Sequence, residues 1–174
     1  GSFGEFLVIT DIHYEPEYSE DFPPEIFCHE NKTGKPNLYS KIESGSYRSF
    51  QMGRYGYDSP GLLIESLYFH INHIRARKPD FILVLGDWVS HCAKNKGKLV
   101  KTIQMASTQM QAHITDIPII PVLGNNDVFP HNSLAVNSSS HFLQELAELW
   151  SPWLNEEQSI SFESGGFYTA FPVP

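Results

Sequence analysis

Long apolar runs are missing from this sequence. No stretch of about 18 apolar residues occurs, so no segment qualifies as a membrane-spanning helix. Cysteine is scarce: Cys28 and Cys92 are too few for a disulfide scaffold, and they can pair or stay free. Basic residues are outnumbered, 12 Lys and Arg against 20 Asp and Glu. The resulting net charge of −8 argues against a nucleic-acid binder that works by neutralising phosphates. It suits a protein that gathers cations, although many acidic proteins are merely soluble. Internal repeats and domain linkers are lacking too, and 174 residues suffice for one domain with a real core.

What is present alternates between two periodicities. Phe6–Thr10, Phe81–Leu85 and Ile117–Leu123 read as short buried strands. Ser59-Pro60 reads as a helix cap and first turn, with Leu63, Leu67, Ile71 and Ile74 on the inward face and Lys78-Pro79 as the stop. A second helix spans about Lys98–His113, turning Leu99, Ile103, Ala106 and Met110 inward. A third, His141–Trp150, buries Phe142, Leu146 and Leu149, and the run from Gly165 to Phe171 reads as the start of another strand. The order β, α, β, α, β implies an α/β fold with a parallel sheet. Between Tyr14 and Asp58 lies a long irregular segment, and loops of that length are usually functional or mobile.

Each strand ends in polar residues. The first runs into Asp11-Ile12-His13, the second into Gly86-Asp87 with His91 four residues on, and the third into Gly124-Asn125-Asn126-Asp127. In open α/β sheets ligands bind at the carboxyl ends of the strands, so Asp11, His13, Asp87 and Asn125 should converge. Asp11 and His13, two apart in extended chain, point to the same side. Carboxylates, an imidazole and an amide oxygen form a mixed N/O set that suits borderline divalent metals. The glycines before Asp87 and Asn125 let the backbone turn sharply and approach closely. Each tip taken singly reads as an ordinary turn. Three in order, with compatible ligands, read as a site.

With these motifs the chain resembles the calcineurin-like metallophosphoesterases, whose pattern is D-x-H, then G-D, then G-N-H-D. Cys28-His29, the Tyr55–Pro60 segment, His91, Trp150-Ser-Pro-Trp153 and Gly165-Gly-Phe-Tyr168 further resemble the branch of acid sphingomyelinase-like phosphodiesterases and endopolyphosphatases. The resemblance implies a sandwich of β-sheets flanked by helices, of which residues 1–174 form the N-terminal portion with a loop insertion at about 14–58. It also implies two divalent ions (Zn, Mn, Fe or Co) that activate a bridging water. One ion takes Asp11, His13 and Asp87, and the other takes Asp87 and Asn125, with Asp87 bridging. His91 then protonates the leaving group, Asn126 holds the place of a phosphate-facing acid, and Asp127 orients its neighbours.

Three departures from the family pattern matter. Tyr57 stands where relatives have a cysteine, which removes the expected partner of Cys28. Asn126 cannot donate a proton as an imidazolium can, so weight moves to His91. The family's later histidines are missing, and only His131 and His141 follow Asn125. The resemblance therefore implies a C-terminal half, or a second chain, that completes the ligand set and covers an otherwise exposed apolar sheet face.

Gly-Asn-Asn-Asp followed by Pro-His-Asn resembles the form found in endopolyphosphatases, and this resemblance implies action on phosphoanhydrides such as polyphosphate. Lys32, Lys35, Lys41, Arg48 and Arg54 in the insertion, with Lys94, Lys96, Lys98 and Lys101, suit a polyanion. The alternatives are a phosphodiesterase acting on sphingomyelin or nucleotides, and a non-catalytic half-domain that binds metal weakly. Two glycosylation sequons, Asn31-Lys-Thr33 and Asn137-Ser-Ser139, fit the secretory pathway, with a vacuolar, lysosomal or extracellular destination.

Overall fold

Short β-branched and aromatic segments form the sheet: β1 Phe6–Ile9, β2 Phe81–Val84 and β3 Ile119–Pro121. The structure, a computed structural model, describes residues 4–19, 51–54, 57–74, 77–93, 95–134 and 141–171. The strands are parallel in the order β1-β2-β3, with Ile9 beside Val84 and Val84 beside Pro121. Crossovers that are right-handed and step the same way across a sheet lay their helices on one face. That face is the core. Ile82, Val84 and Ile119 are buried there with Ile64 and Tyr68 of α1 (Gly61–Phe69) and Leu99, Ile103 and Met110 of α2 (Lys96–His113).

The opposite face stays open. Phe6 and Val8 are 56% and 45% exposed, and Phe6 stacks on Phe81 with ring centroids 5.1 Å apart. The uncovered apolar face expected from the sequence is therefore present. The same alternation corrects the reading of β1 as a buried strand, because only Ile9 of its residues is buried.

α1 departs from expectation in its cap and in its phase. Ser59 does not cap it; its backbone instead pairs with His13 and Glu15 in an extended segment. The buried stripe is Ile64, Tyr68 and Ile71, while Leu63 and Leu67 are 40% and 38% exposed. The side chain of Ile74 lies outside the described residues. Leu62, Leu63 and Ile64 are apolar in succession, so two stripes fit the sequence, and the one carrying the bulky Tyr68 ring is buried. After Phe69 the chain continues as a π-helical turn, His70–Ile74.

α2 buries the four residues expected of it, and Asn95 caps it by accepting from the Lys98 N–H at 2.9 Å. α3, His141–Leu149, buries Phe142 and Leu146 as expected, together with Leu143 and Ala147, and leaves Leu149 half-buried. The strand expected at Gly165–Phe171 is absent. A fourth helix, α4 (Glu156–Gly165), ends there, and Gly166 at φ 72° supplies the left-handed stop. Beyond it Tyr168 Oη donates to the Pro121 carbonyl at 2.6 Å, tying the segment to β3.

Candidate metal centre

The three strand tips meet. His13 Nε2 lies 3.6 Å from Asp11 Oδ1 and 3.8 Å from Asp87 Oδ2. The extended-chain argument for Asp11 and His13 is corrected, because neither residue is extended. Asp11, His13 and Asp87 have φ of 55°, 43° and 54°, left-handed backbone that costs a non-glycine residue about 1–3 kcal/mol. Hydrogen bonds between the tips hold them so: the Asp11 N–H donates to the Gly86 carbonyl at 3.2 Å and the His13 N–H to the Asp87 carbonyl at 2.9 Å.

Two glycines allow the second and third tips to touch. A Cβ on Gly86, at φ 90°, would fall on the Gly124 backbone, and one on Gly124 would fall on Asp87. Asp127, fully buried, locks the contact by accepting from the N–H groups of Trp88 (2.7 Å), Gly124 (2.8 Å) and Val89 (3.2 Å). Burial pushes its carboxyl up to about 6 and the nearby Asp87 charge adds to this, against the three N–H donors. The indole of Trp88, next to Asp87, donates to the Val122 carbonyl at 3.0 Å and packs beside Trp150 and Trp153. The Trp-Ser-Pro-Trp motif thus braces the second tip.

Asn126 lies against Asp87 rather than in the open. Its backbone N–H donates to Asp87 Oδ1 at 2.9 Å and its Nδ2 to Oδ2 at 2.8 Å. Asn125 is exposed at the same tip, and its carbonyl accepts from the Asn132 N–H at 3.1 Å.

The donor set fits a divalent cation. His13 Nδ1 is 3.0 Å from the Val89 carbonyl, which only accepts, so Nδ1 carries the proton and the Nε2 lone pair faces the carboxylates. Asp11, His13 and Asp87 bring ligand atoms within 4.8 Å of one another. His13, Asp58 and His91 do the same, but there His91 Nδ1 is hydrogen-bonded to Asp58 Oδ1 at 2.9 Å. His91 stacks on His13, ring centroids 4.3 Å apart. Neither His131 nor His141 joins these groups among the described residues.

Asp58 is the site residue that sequence reasoning missed. Its signal was the Asp-Ser-Pro motif, read as a helix start and as part of the family resemblance but not as a site residue. The lysines expected to greet a polyanion are partly engaged: Lys98 pairs with Glu17 at 2.9 Å and Lys96 with Glu145 at 4.0 Å. Lys32, Lys35, Lys41, Arg48 and Lys94 lie outside the described residues, as do both sequons. Cys92, left open by the sequence, is disulfide-bonded, and Cys28 lies outside the described residues.

Residues 4–172 match the family model described as calcineurin-like phosphoesterase. The chain belongs to this family. Among calcineurin-like phosphoesterase relatives it is 32% identical to "Sphingomyelinase phosphodiesterase C" of Dictyostelium discoideum, over 95% of this chain and 36% of that protein. It is 28% identical to the "Endopolyphosphatase" of Saccharomyces cerevisiae, over 98% of this chain and 26% of that one. It is 30% identical to the human "Acid sphingomyelinase-like phosphodiesterase 3b", over 95% of this chain and 34% of that protein. The chain thus spans about a third or less of the length of these curated relatives.

Proposed function

We infer that the chain carries the first half of the active site of a metal-dependent phosphoester or phosphoanhydride hydrolase. The observation that supports this best is the convergence of Asp11, His13 and Asp87 from two strand tips in left-handed backbone, with His91 stacked beside them. Asp11, His13 and Asp87, with the Asn125 amide, would hold two divalent ions of the Zn, Mn, Fe or Co kind. Once bound, such ions neutralise phosphoryl oxygens and acidify the attacking water. The chain's own groups do the rest. Val89 and Asp87 fix the His13 ring and backbone, Asn126 holds both oxygens of Asp87, and Asp127 keeps the second and third tips together. His91, when doubly protonated, would give its Nε2 proton to the departing oxygen and be left as the neutral ring with its proton on Nδ1.

The leading substrate class is a phosphoanhydride chain, as in an endopolyphosphatase, on the strength of the Gly-Asn-Asn-Asp tip and of the endopolyphosphatase relatives. A phosphodiesterase is the second reading, favoured by the identity to sphingomyelinase-like relatives. A C-terminal portion or second chain supplies further imidazole ligands and seats on the open face of the sheet. The disulfide at Cys92 supports an oxidising, secretory or vacuolar setting.

Metal content and turnover test the reading together. The intact protein is expected to hold about two equivalents of divalent metal and to hydrolyse polyphosphate faster than a nitrophenyl phosphodiester. Asp87→Asn should abolish turnover. Substoichiometric metal with no turnover of either substrate would make the chain a non-catalytic relative.

A further inference from the structure

Asp58 is not one of the Asp11–His13–Asp87 group, although it neighbours His13, and it grips His91 at two points. Asp58 Oδ2 accepts from the His91 backbone N–H at 2.7 Å, and Oδ1 lies 2.9 Å from His91 Nδ1. The carboxyl is buried with 6% of its side chain exposed, whereas the imidazole is 45% exposed. A carboxylate oxygen accepts only, so Nδ1 is the donor and Nε2 points away from Asp58. The imidazole also lies nearly parallel to His13, 20° between the planes, with centroids 4.3 Å apart. The stack limits tilting of the ring. The bond to Asp58 prevents it from flipping, which would exchange its two nitrogens.

Asp58 is itself held rigidly. The following Ser59 donates its N–H to the His13 carbonyl and accepts from the Glu15 N–H, each at 2.9 Å. Tyr14 bridges both Ser59 and Val89, so the segment carrying Asp58 is zipped to the first and second tips at once. A buried carboxylate is costly unless donors satisfy it, and His91 supplies two.

We propose that Asp58 is a positioning residue: it holds His91 in one ring orientation, with Nε2 presented to the departing oxygen of the substrate beside the metal group. This rests on the reading of His91 as the group that serves that oxygen. The alternative, a further metal site on His13, Asp58 and His91, conflicts with the hydrogen bond from His91 Nδ1 to Asp58 Oδ1, which engages a potential ligand atom of each residue.

The test uses the intact, metal-loaded enzyme and two phosphodiesters differing only in the leaving group, a nitrophenolate that departs without a proton and an alkoxide that needs one. His91→Ala is expected to lower kcat on the alkyl substrate by about 10²- to 10⁴-fold and on the nitrophenyl substrate far less. Asp58→Asn should reproduce that selectivity at about 10- to 100-fold, with KM and metal content unchanged and no further loss when combined with His91→Ala. Nitrogen-15 spectra of the His91 ring should show one tautomer in the wild type and a mixture in Asp58→Asn and in Asp58→Ala, a readout that does not depend on turnover. Loss of a metal equivalent, an equal fall on both substrates, or an unchanged tautomer in both Asp58 variants would overturn the role of Asp58 alone. An equal fall on both substrates in His91→Ala would overturn the reading of His91, and the proposal with it.

Discussion

The polar residues at the strand tips divide into those that would face the proposed ion site and those that hold them there. Asp11, His13 and Asp87 belong to the first kind. Asn126 and Asp127 belong to the second, since Asn126 bonds Asp87 and Asp127 joins the second tip to Gly124 of the third. Asp127 also makes stability depend on pH. Its carboxyl is raised from 3.8 to about 6, so between those values the folded chain binds more protons than the unfolded one. Stability contributed by this group therefore falls as pH rises through that window, by about 3 kcal/mol over the whole of it. Denaturant titrations of the metal-free protein from pH 4 to 7 should show that slope in the wild type and a flatter one in Asp127→Asn. Equal slopes would mean that the Asp127 carboxylate is as well solvated in the folded chain as in the unfolded one.

At the scale of elements, the strand-tip glycines are the least replaceable positions. Gly124 lies so close to Asp87 that any side chain would displace the carboxylate. Gly124→Ala is accordingly expected to weaken metal binding by at least about tenfold and to destabilise the chain by about 2 kcal/mol or more. Chelator competition and a thermal melt measure the two effects, and unchanged metal affinity would show that the second and third tips can separate without harm. The sequence made these glycines legible because Gly before Asp and Gly before Asn recur at two strand ends that also carry compatible ligands, although each alone reads as an ordinary turn. It was less informative about helices. Three successive apolar residues blurred the phase of α1, and Gly165-Gly166 before aromatics imitated a strand although Asn155 and Gln158 form a capping box that opens α4.

For the whole molecule the one-sided sheet is decisive. Among the described residues the core lies on the face of Ile82 and Val84, while Phe6 and Val8 on the other face are exposed beside Phe81. An exposed apolar face of this kind is a docking surface or an aggregation liability. The 174-residue chain by itself is expected to bind an apolar fluorescent dye and to self-associate, and Phe6→Ser with Val8→Lys should reduce both. If a further portion or a second chain seats on this face as proposed, the same pair of changes should also weaken that association. A monomeric, dye-silent chain would show that the face is covered in some other way.

The places of the three strands, the parallel α/β order, the inward face of α2 and the residue types at the tips were determined by the sequence itself. These features rest on local periodicity and on side-chain chemistry carried by neighbouring residues. Tertiary structure decided the rest. The left-handed backbone of Asp11, His13 and Asp87 is imposed by hydrogen bonds between tips more than 70 residues apart. The grip of Asp58 on His91 spans 33 residues, and the attachment of Asn126 to Asp87 spans 39. No periodicity encodes such distances. They exist only once the sheet has brought its strand ends together.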